Sequence, residues 1–328
     1  MASFEKINYL LRPNKSVERK MVSEMLLGLS AISDLTTYQY IGFGSIYFAD
    51  FSLFHKQLGI SNMISIESNI DAQTRCEFNK PFKCIELKMG SSTTVLPNLD
   101  IERKNSIIWL DYDGIISDDV FSDISTVMTK LKTDSFFMLS INADRKALNK
   151  PLDDGVVDPE TFLTGLLGVD RYPRKYLGKK ITSKLYLDIL YECIINQINL
   201  IIQRRNGMER TKVSFHQTIH FVYQDGIRML TIGGFLFEAE KEQAKLEKMQ
   251  TCELPFYRHS NDSFVIQCPM LSLKEIQELN SHLPCKPMDE RTGTFEDAFL
   301  NNFHIDRKDI NCYASLYRYF PNFAETLI

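Results

Sequence analysis

Short apolar runs alternate with stretches of helical periodicity through the first half of this chain, and four of the runs end in Gly, Ser or an acid. They are YIGFGSIYFADF at 40–51, MISIESN at 63–69, FKCIELKMGSS at 82–92 and SIIWLDYDG at 106–114. A strand buried on both faces reads as a continuous apolar run, and in an open α/β sheet its carboxyl end opens on the ligand crevice. The pattern predicts strands over 38–41, 60–66, 82–87, 106–110 and 135–141. Between them lie helices over 48–58, 71–79 and 118–131, the last with Val120, Phe121, Ile124, Val127, Met128 and Leu131 on one face. A helix over 15–29 precedes the first strand, with Val17, Met21, Met25, Leu26 and Leu29 aligned and Ser16 as candidate cap. Strands alternating with helices imply right-handed crossovers and a parallel sheet.

The pattern then changes. Residues 146–158 are rich in Asp, Pro and Gly and read as a long loop, followed by helices over 159–167 and 185–204. Two alternating β-rich runs, 213–223 and 227–237, flank Gln224-Asp225-Gly226, and an Asp-Gly in that position signals a hairpin. Residues 238–248 are charged throughout and read as a solvated helix. The rest holds one short strand, 263–268, and helices that include 273–283 and 309–319.

Charge and cysteine usage narrow the classes. The 328 residues carry a formal net charge of −4, so no global basic field recruits nucleic acid, although a local basic groove stays open. The first residues, MASFEKINYLLRPNK, lack the apolar core of a secretory signal, and the longest apolar stretches are strand-length. Seven scattered cysteines, none in a C-x-x-C pair, fit reduced and mostly buried thiols in a cytoplasmic protein.

The strand ends carry the candidate chemistry. Glycine after a first parallel strand lets backbone approach a ligand, and an acid ending the second accepts hydrogen bonds from the hydroxyls of an adenosine ribose. Gly42-Phe43-Gly44-Ser45 and Glu67 stand in those places. The third glycine of the dinucleotide fingerprint is missing, since Gly44 is followed by Ser45-Ile46-Tyr47, and no G-K-[ST] triphosphate loop is present. An adenosyl cofactor needs no phosphate cradle and tolerates this looser loop, which makes it the leading expectation. Arg12 and Lys15, with Arg19, form a basic lip expected to fold over the cofactor edge. A proton acceptor is sought in Asp111, Asp113 or His216. A divalent metal on Asp111 or Asp113 with Asn142 and Asp144 is the lesser alternative, and no metal is expected. His216 and His220 share a strand face but lie about 13 Å apart, too far for one ion.

With these residues in place the chain resembles the class I S-adenosylmethionine-dependent methyltransferases over roughly 39–237. More narrowly, LRPNKSVERKM, YIGFGSIYFADF, MISIE and WLDYDG together resemble a bacterial family described as putative O-methyltransferases. The resemblance implies an α/β fold: a doubly wound, mostly parallel, seven-stranded Rossmann-like sheet ending in an antiparallel hairpin, with an N-terminal helix and a mainly helical C-terminal extension. Its division would be 1–240, with a helical insertion at about 145–211, and 241–328. It implies S-adenosylmethionine as cofactor. Gly42, Phe43, Gly44 and Ser45 would lie under its methionine part and Glu67 would hold the ribose. Ser68 or Asn69 would meet the adenine edge, Gly90 and Ser91 with Ser92 would border it, and Asp111 and Tyr112 would stand beside the methyl group. The D-Y-D-G of 111–114 departs from the [DN]-P-P-[YF] of nucleobase amino methylation, which argues against such a DNA modifier. The acceptor expected is a small molecule or a protein, with no membrane partner, nucleic acid disfavoured and a homodimer left open. The competing readings are a degenerate cofactor-binding sensor or partner protein, and another Rossmann-type or nucleic-acid-modifying enzyme.

Overall fold

In a computed structural model of the protein, residues 11–149, 158–284 and 305–321 are described. Their centre is a mixed sheet of eight strands in the order β3-β2-β1-β4-β5-β7-β6-β8. The strands β1 (Gln39–Gly42), β2 (Asn62–Glu67), β3 (Ile85–Met89), β4 (Ser106–Asp111) and β5 (Ser135–Asn142) run parallel. The long hairpin of β6 (Val213–Asp225) and β7 (Ile227–Glu238) closes antiparallel on β5 through β7. Its turn is set by Gly226, at φ +97°, a left-handed conformation that glycine adopts without steric cost.

The sheet is therefore the α/β arrangement read from the sequence, with one strand more than the seven expected. The addition is β8 (Phe264–Ile266), which comes from the C-terminal extension and pairs parallel with Phe221–Tyr223 of β6. Extension and sheet thus share one core, in which Leu316 and Tyr319 pack with residues of the first helix.

Period-2 alternation sends each strand's side chains to two layers. On one face Tyr40, Trp109, Phe136 and Phe235 pack with α1 (Pro13–Leu27) and α2 (Ala49–Leu58). On the other, Ile41, Ile108, Leu110 and Leu139 pack with α5 (Asp118–Lys130), α6 (Pro159–Leu167) and α7 (Ser183–Met208). The short helices α3 (Gln73–Asn79) and α4 (Ser92–Val95) complete the crossovers beside β2 and β3. The region expected as an insertion is thus the helical layer of that second face. α7 is the one helix among the described residues long and apolar enough to cross a membrane, and its buried stripe, including Ile189, Ile194 and Ile198, is spent on this core.

Local chemistry moves several boundaries. α1 starts earlier than expected, with Pro13 at its first turn; Ser16 lies within the helix, its N–H donating to Arg12 O, and does not cap it. β3 starts later than the apolar run suggested and is half-exposed, as an edge strand is. The charged stretch after β7 is a short 3₁₀ turn, Ala239–Lys241, followed by α8 (Glu242–Met249). Among the described residues two more helices follow, α9 (Leu273–Ser281) and α10 (Arg307–Leu316). Most of the long loop expected at 146–158 lies outside the described residues.

The core is tightest where β6 and β7 change register, between Gln217 and Ile219. A Cβ on Gly234 would lie 2.3 Å from the His216 carbonyl oxygen and 2.8 Å from Gln217 Cα, both backbone atoms that cannot rotate away. Gly234→Ala is expected to destabilise the protein by at least about 1–3 kcal/mol, read as a lower midpoint in chemical denaturation.

Candidate active site

The carboxyl ends of β1, β2, β3 and β4 surround a cavity of about 470 Å³, within the range of small-molecule sites. Phe43, Gly44 and Ser45 line it from the first loop, Glu67, Ser68 and Asn69 from the second. Gly90 and Ser91 follow from the third, and Asp111, Tyr112 and Asp113 from the fourth. These residues are far apart in sequence, and the parallel register brings them to one edge.

The first loop is held in an unusual backbone form. Ser45 and Phe48 both adopt left-handed φ, +48° and +45°, which non-glycine residues resist. Phe48 is fully buried, and the Gly44 N–H donates to Ser65 Oγ at 3.1 Å. A Cβ on Gly44 would come within 2.6 Å of the Phe48 ring and 2.7 Å of Ser65 Oγ. Gly44 lines the cavity and is also packed closely against its own loop and β2.

Glu67 ends β2 with its carbonyl accepting from the Gly90 N–H at 2.9 Å and its Oε1 accepting from the Asn69 N–H at 2.8 Å. Burial raises its pKa above the ordinary carboxylate value. Across the cavity, Tyr112 Oη donates to Asp123 Oδ2 at 2.5 Å, and its ring meets Phe43 edge-on at 5.2 Å. Burial raises the pKa of Asp123 as well.

Beside Asp111 lies a buried ammonium group. Lys15 Nζ lies 2.8 Å from Glu18 Oε2 and 2.8 Å from Asp111 Oδ2, and 4.4 Å from the centre of the Trp109 ring. Lys15 is 1% exposed and Glu18 fully buried. A hydrogen-bond chain backs the pair: Trp109 Nε1 donates to Ser140 Oγ at 3.0 Å, Ser140 Oγ lies 2.8 Å from Thr231 Oγ1, and Thr231 donates to Glu18. Asp225 at the hairpin turn accepts from the Lys15 and Asn14 N–H groups and fixes the start of α1. A second buried pair sits alongside, Tyr40 donating to Asp50, whose pKa burial raises.

Four of the expected residues do not line this cavity. Lys15 does not line the cavity; it reaches it only through Asp111, because α1 buries its side chain against Trp109. Arg12, also buried, does not line it either. Gly42 lies below the crevice, its missing Cβ facing the Tyr40 hydroxyl at 2.6 Å. His216 is at the wrong edge of the sheet. It registers with Phe235, Phe235 with Phe136, and Phe136 with Ile107 near the start of β4, whereas Asp111 ends that strand. Its ring nitrogens contact Glu242 Oε1 and Tyr257 Oη, each at 2.7 Å, which makes it a clamp for α8 and the segment after it. Asp144 caps a turn by accepting from the Lys146 N–H at 2.9 Å, and no group of three His, Cys, Asp or Glu among the described residues could hold a metal ion.

Asp50, Asp119 and Arg19 also line the cavity. Arg19 was legible as the i+4 neighbour of Lys15. Asp50 was hidden in an aromatic run, where an acid reads as a helix start. Among the described residues, the cavity wall carries five carboxylates, Asp50, Glu67, Asp111, Asp113 and Asp119, against one cationic side chain, Arg19.

Residues 7–328 match a protein-family model described as "Putative O-methyltransferase". The chain belongs to this family. A comparison with curated proteins gave no match. Among solved structures, Trm1 from Pyrococcus horikoshii with S-adenosyl-L-methionine is 12% identical with a TM-score of 0.43, over 72% of this chain and 58% of that one. M. jannaschii TYW2 in complex with AdoMet is 12% identical with a TM-score of 0.37, over 72% and 80%. An O-methyltransferase from Bacillus cereus in complex with SAH is 10% identical with a TM-score of 0.33, over 69% and 93%. Likenesses this remote carry no argument about chemistry. Family membership makes the chain a methyltransferase.

Removing one partner of a buried ion pair leaves an uncompensated charge. Lys15→Met is therefore expected to destabilise the protein by about 3–5 kcal/mol, and Lys15→Met with Glu18→Gln to recover much of that loss, both measured by urea denaturation.

Proposed function

We propose that this protein is an S-adenosylmethionine-dependent O-methyltransferase whose crevice binds adenosine over β2 and β3 and moves the methyl group beside Asp111. The observation that carries the reading is the cavity wall itself, five carboxylates and one arginine at the carboxyl edge of a parallel sheet. An acid-rich wall suits a ligand with a sulfonium and an ammonium group, and is poorly suited to a polyphosphate nucleotide. Glu67 spends Oε1 on the Asn69 N–H, leaving Oε2 to accept from ribose hydroxyls. Gly90, at φ +140°, lets the third strand end pass close to the adenine side.

The cofactor supplies an activated methyl group on a positively charged sulfur, which becomes a neutral thioether on transfer. The residues must hold the acceptor in line, exclude water and take one proton. Asp111 is the acceptor of that proton: its Oδ2 faces Lys15, which fixes the carboxylate's direction, and it is one-quarter exposed towards the cavity. Phe43 and Tyr112, held edge-on, form the apolar side of the same region. The free thiols among the described residues support a reducing, cytoplasmic setting.

Two measurements test the assignment. Adenosylhomocysteine affinity, read by calorimetry, is expected to fall by about 1.5–3 kcal/mol in Glu67→Ala. Because burial raises the Glu67 pKa and only the ionised form accepts both hydroxyls, the wild-type affinity should decline as pH drops, beginning above the ordinary carboxylate value of 4.5. Glu67→Gln should bind weakly with that pH dependence gone. Unchanged affinity in both variants would remove Glu67 from the site.

For the transfer step, Asp111→Asn is expected to cut kcat by about 10²–10⁴ while adenosylhomocysteine still binds. His216→Ala should leave the rate per folded molecule unchanged. Turnover to adenosylhomocysteine in the presence of a methyl acceptor is the readout, and full activity in Asp111→Asn would assign the proton elsewhere.

A further inference from the structure

A second cavity, about 190 Å³, lies on the same carboxyl edge, and methyl transfer as derived above makes no use of it. Asp144, Arg145 and Lys146, just beyond β5, line it with Ser183 at the start of α7 and with Gln224 and Arg228 of the hairpin. The frame is built. Gln224 and Arg228 register opposite each other across β6 and β7, and the Ala143 N–H donates to Arg228 O at 2.8 Å. Arg145 is fixed by its Nε donating to Ile181 O at 2.7 Å and its Nη1 donating to Asn149 Oδ1 at 2.8 Å. Those bonds leave Nη2 as the donor edge of a guanidinium already held in place.

The charge balance is one-sided. Among the described residues, Arg145, Lys146 and Arg228 face a single acid, Asp144, whose Oδ1 is engaged by the Lys146 N–H. The start of α7 adds to the positive side. Thr182 accepts from the Leu185 N–H at 3.1 Å, so the N–H groups of Ser183 and Lys184 have no partner within the helix, and the 26-residue helix directs its positive end there.

We propose that this cavity binds a phosphate-type oxyanion, carried by the methyl acceptor at the end remote from its nucleophilic oxygen. The donors come from three separate chain segments: Arg145 and Lys146, Arg228, and the first N–H groups of α7. A tetrahedral anion presents acceptor oxygens in several directions, whereas a planar carboxylate is satisfied by one fork. The placement follows from the strand order. Asp111 registers with Ser140 of β5 and Ser140 with Thr231 of β7, two strand spacings or about 10 Å across the sheet, and Arg228 lies three residues from Thr231 towards the start of β7, about 10 Å further along the strand at the sheet's carboxyl edge. The Asn142 N–H donates to Gly114 O at 3.0 Å and joins the two sites' walls. The acidic crevice takes the cofactor and the uncharged hydroxyl end, and the basic cavity takes the phosphate end. The acceptor clause rests on the methyl-transfer reading; the anion site does not.

The test is titration of the full-length protein with inorganic phosphate, followed by calorimetry without cofactor, with acetate as the carboxylate arm. Phosphate is expected to bind one to one, more tightly than acetate. Arg228→Gln should weaken it at least tenfold and Lys146→Gln severalfold, with adenosylhomocysteine affinity and thermal midpoint unchanged. No phosphate binding by the wild type, equal binding by the variants, or acetate binding as tightly as phosphate would each overturn the proposal. Failure of the methyl-transfer reading appears separately, as absent adenosylhomocysteine binding by a protein that still takes phosphate.

Discussion

One ammonium group organises this protein's chemistry. Lys15 is buried between Glu18 and Asp111, and burying three charges is costly unless each is met by an opposite charge or a hydrogen bond. The cost is offset by geometry: two ion pairs at 2.8 Å, the Trp109 ring below, and the Trp109–Ser140–Thr231 chain that completes Glu18. Because Lys15 belongs to α1 and Asp111 to β4, the same contacts fix where the first helix crosses the sheet and where the carboxylate points. Asp225 repeats the logic at the hairpin, accepting from the first backbone N–H groups of α1. Helix, central strand and hairpin are located by charge as much as by apolar packing.

That arrangement divides the carboxyl edge of the sheet by sign. Carboxylates gather over β1, β2 and β4, and cationic groups beyond β5 and at the hairpin. The parallel strands put loop residues of different sequence regions side by side, so a gradient of charge runs across a crevice whose parts are never adjacent in the chain. Two polar residues held in left-handed turns or buried pairs, Ser45 and Asp50, complete the acidic half.

The strand ends were legible because each carries its own local signal. The apolar run before Glu67, the Gly90 turn and the Asp225-Gly226 hairpin read correctly from neighbours alone, whereas the closure of β7 on β5 was not readable from spacing. What escaped depends on contacts that sequence spacing does not encode. Lys15 read as a surface lip, and its partner Asp111 is supplied by a strand far along the chain. His216 read as chemistry because histidine is versatile, yet its role is set by Glu242 and Tyr257 at the opposite edge. The eighth strand was seen as a strand, but three residues say nothing of which edge they join.

Residues far along the chain close over the outer side of α1. Lys20 Nζ donates to Tyr319 O at 2.9 Å across 299 positions, and Arg318 pairs with Glu24 at 2.8 Å across 294. The Cys268 N–H donates to Asn14 Oδ1 at 2.7 Å across 254. Contacts so distant in sequence form late, since the loop between them must first be closed. During synthesis, α1 emerges from the ribosome first and yet waits for almost the whole chain before its outer contacts exist. A nascent chain that has completed the parallel strands already holds both partners of Lys15, Glu18 and Asp111, while the outer face of α1 stays uncovered until residues 268 and 318–319 have been made.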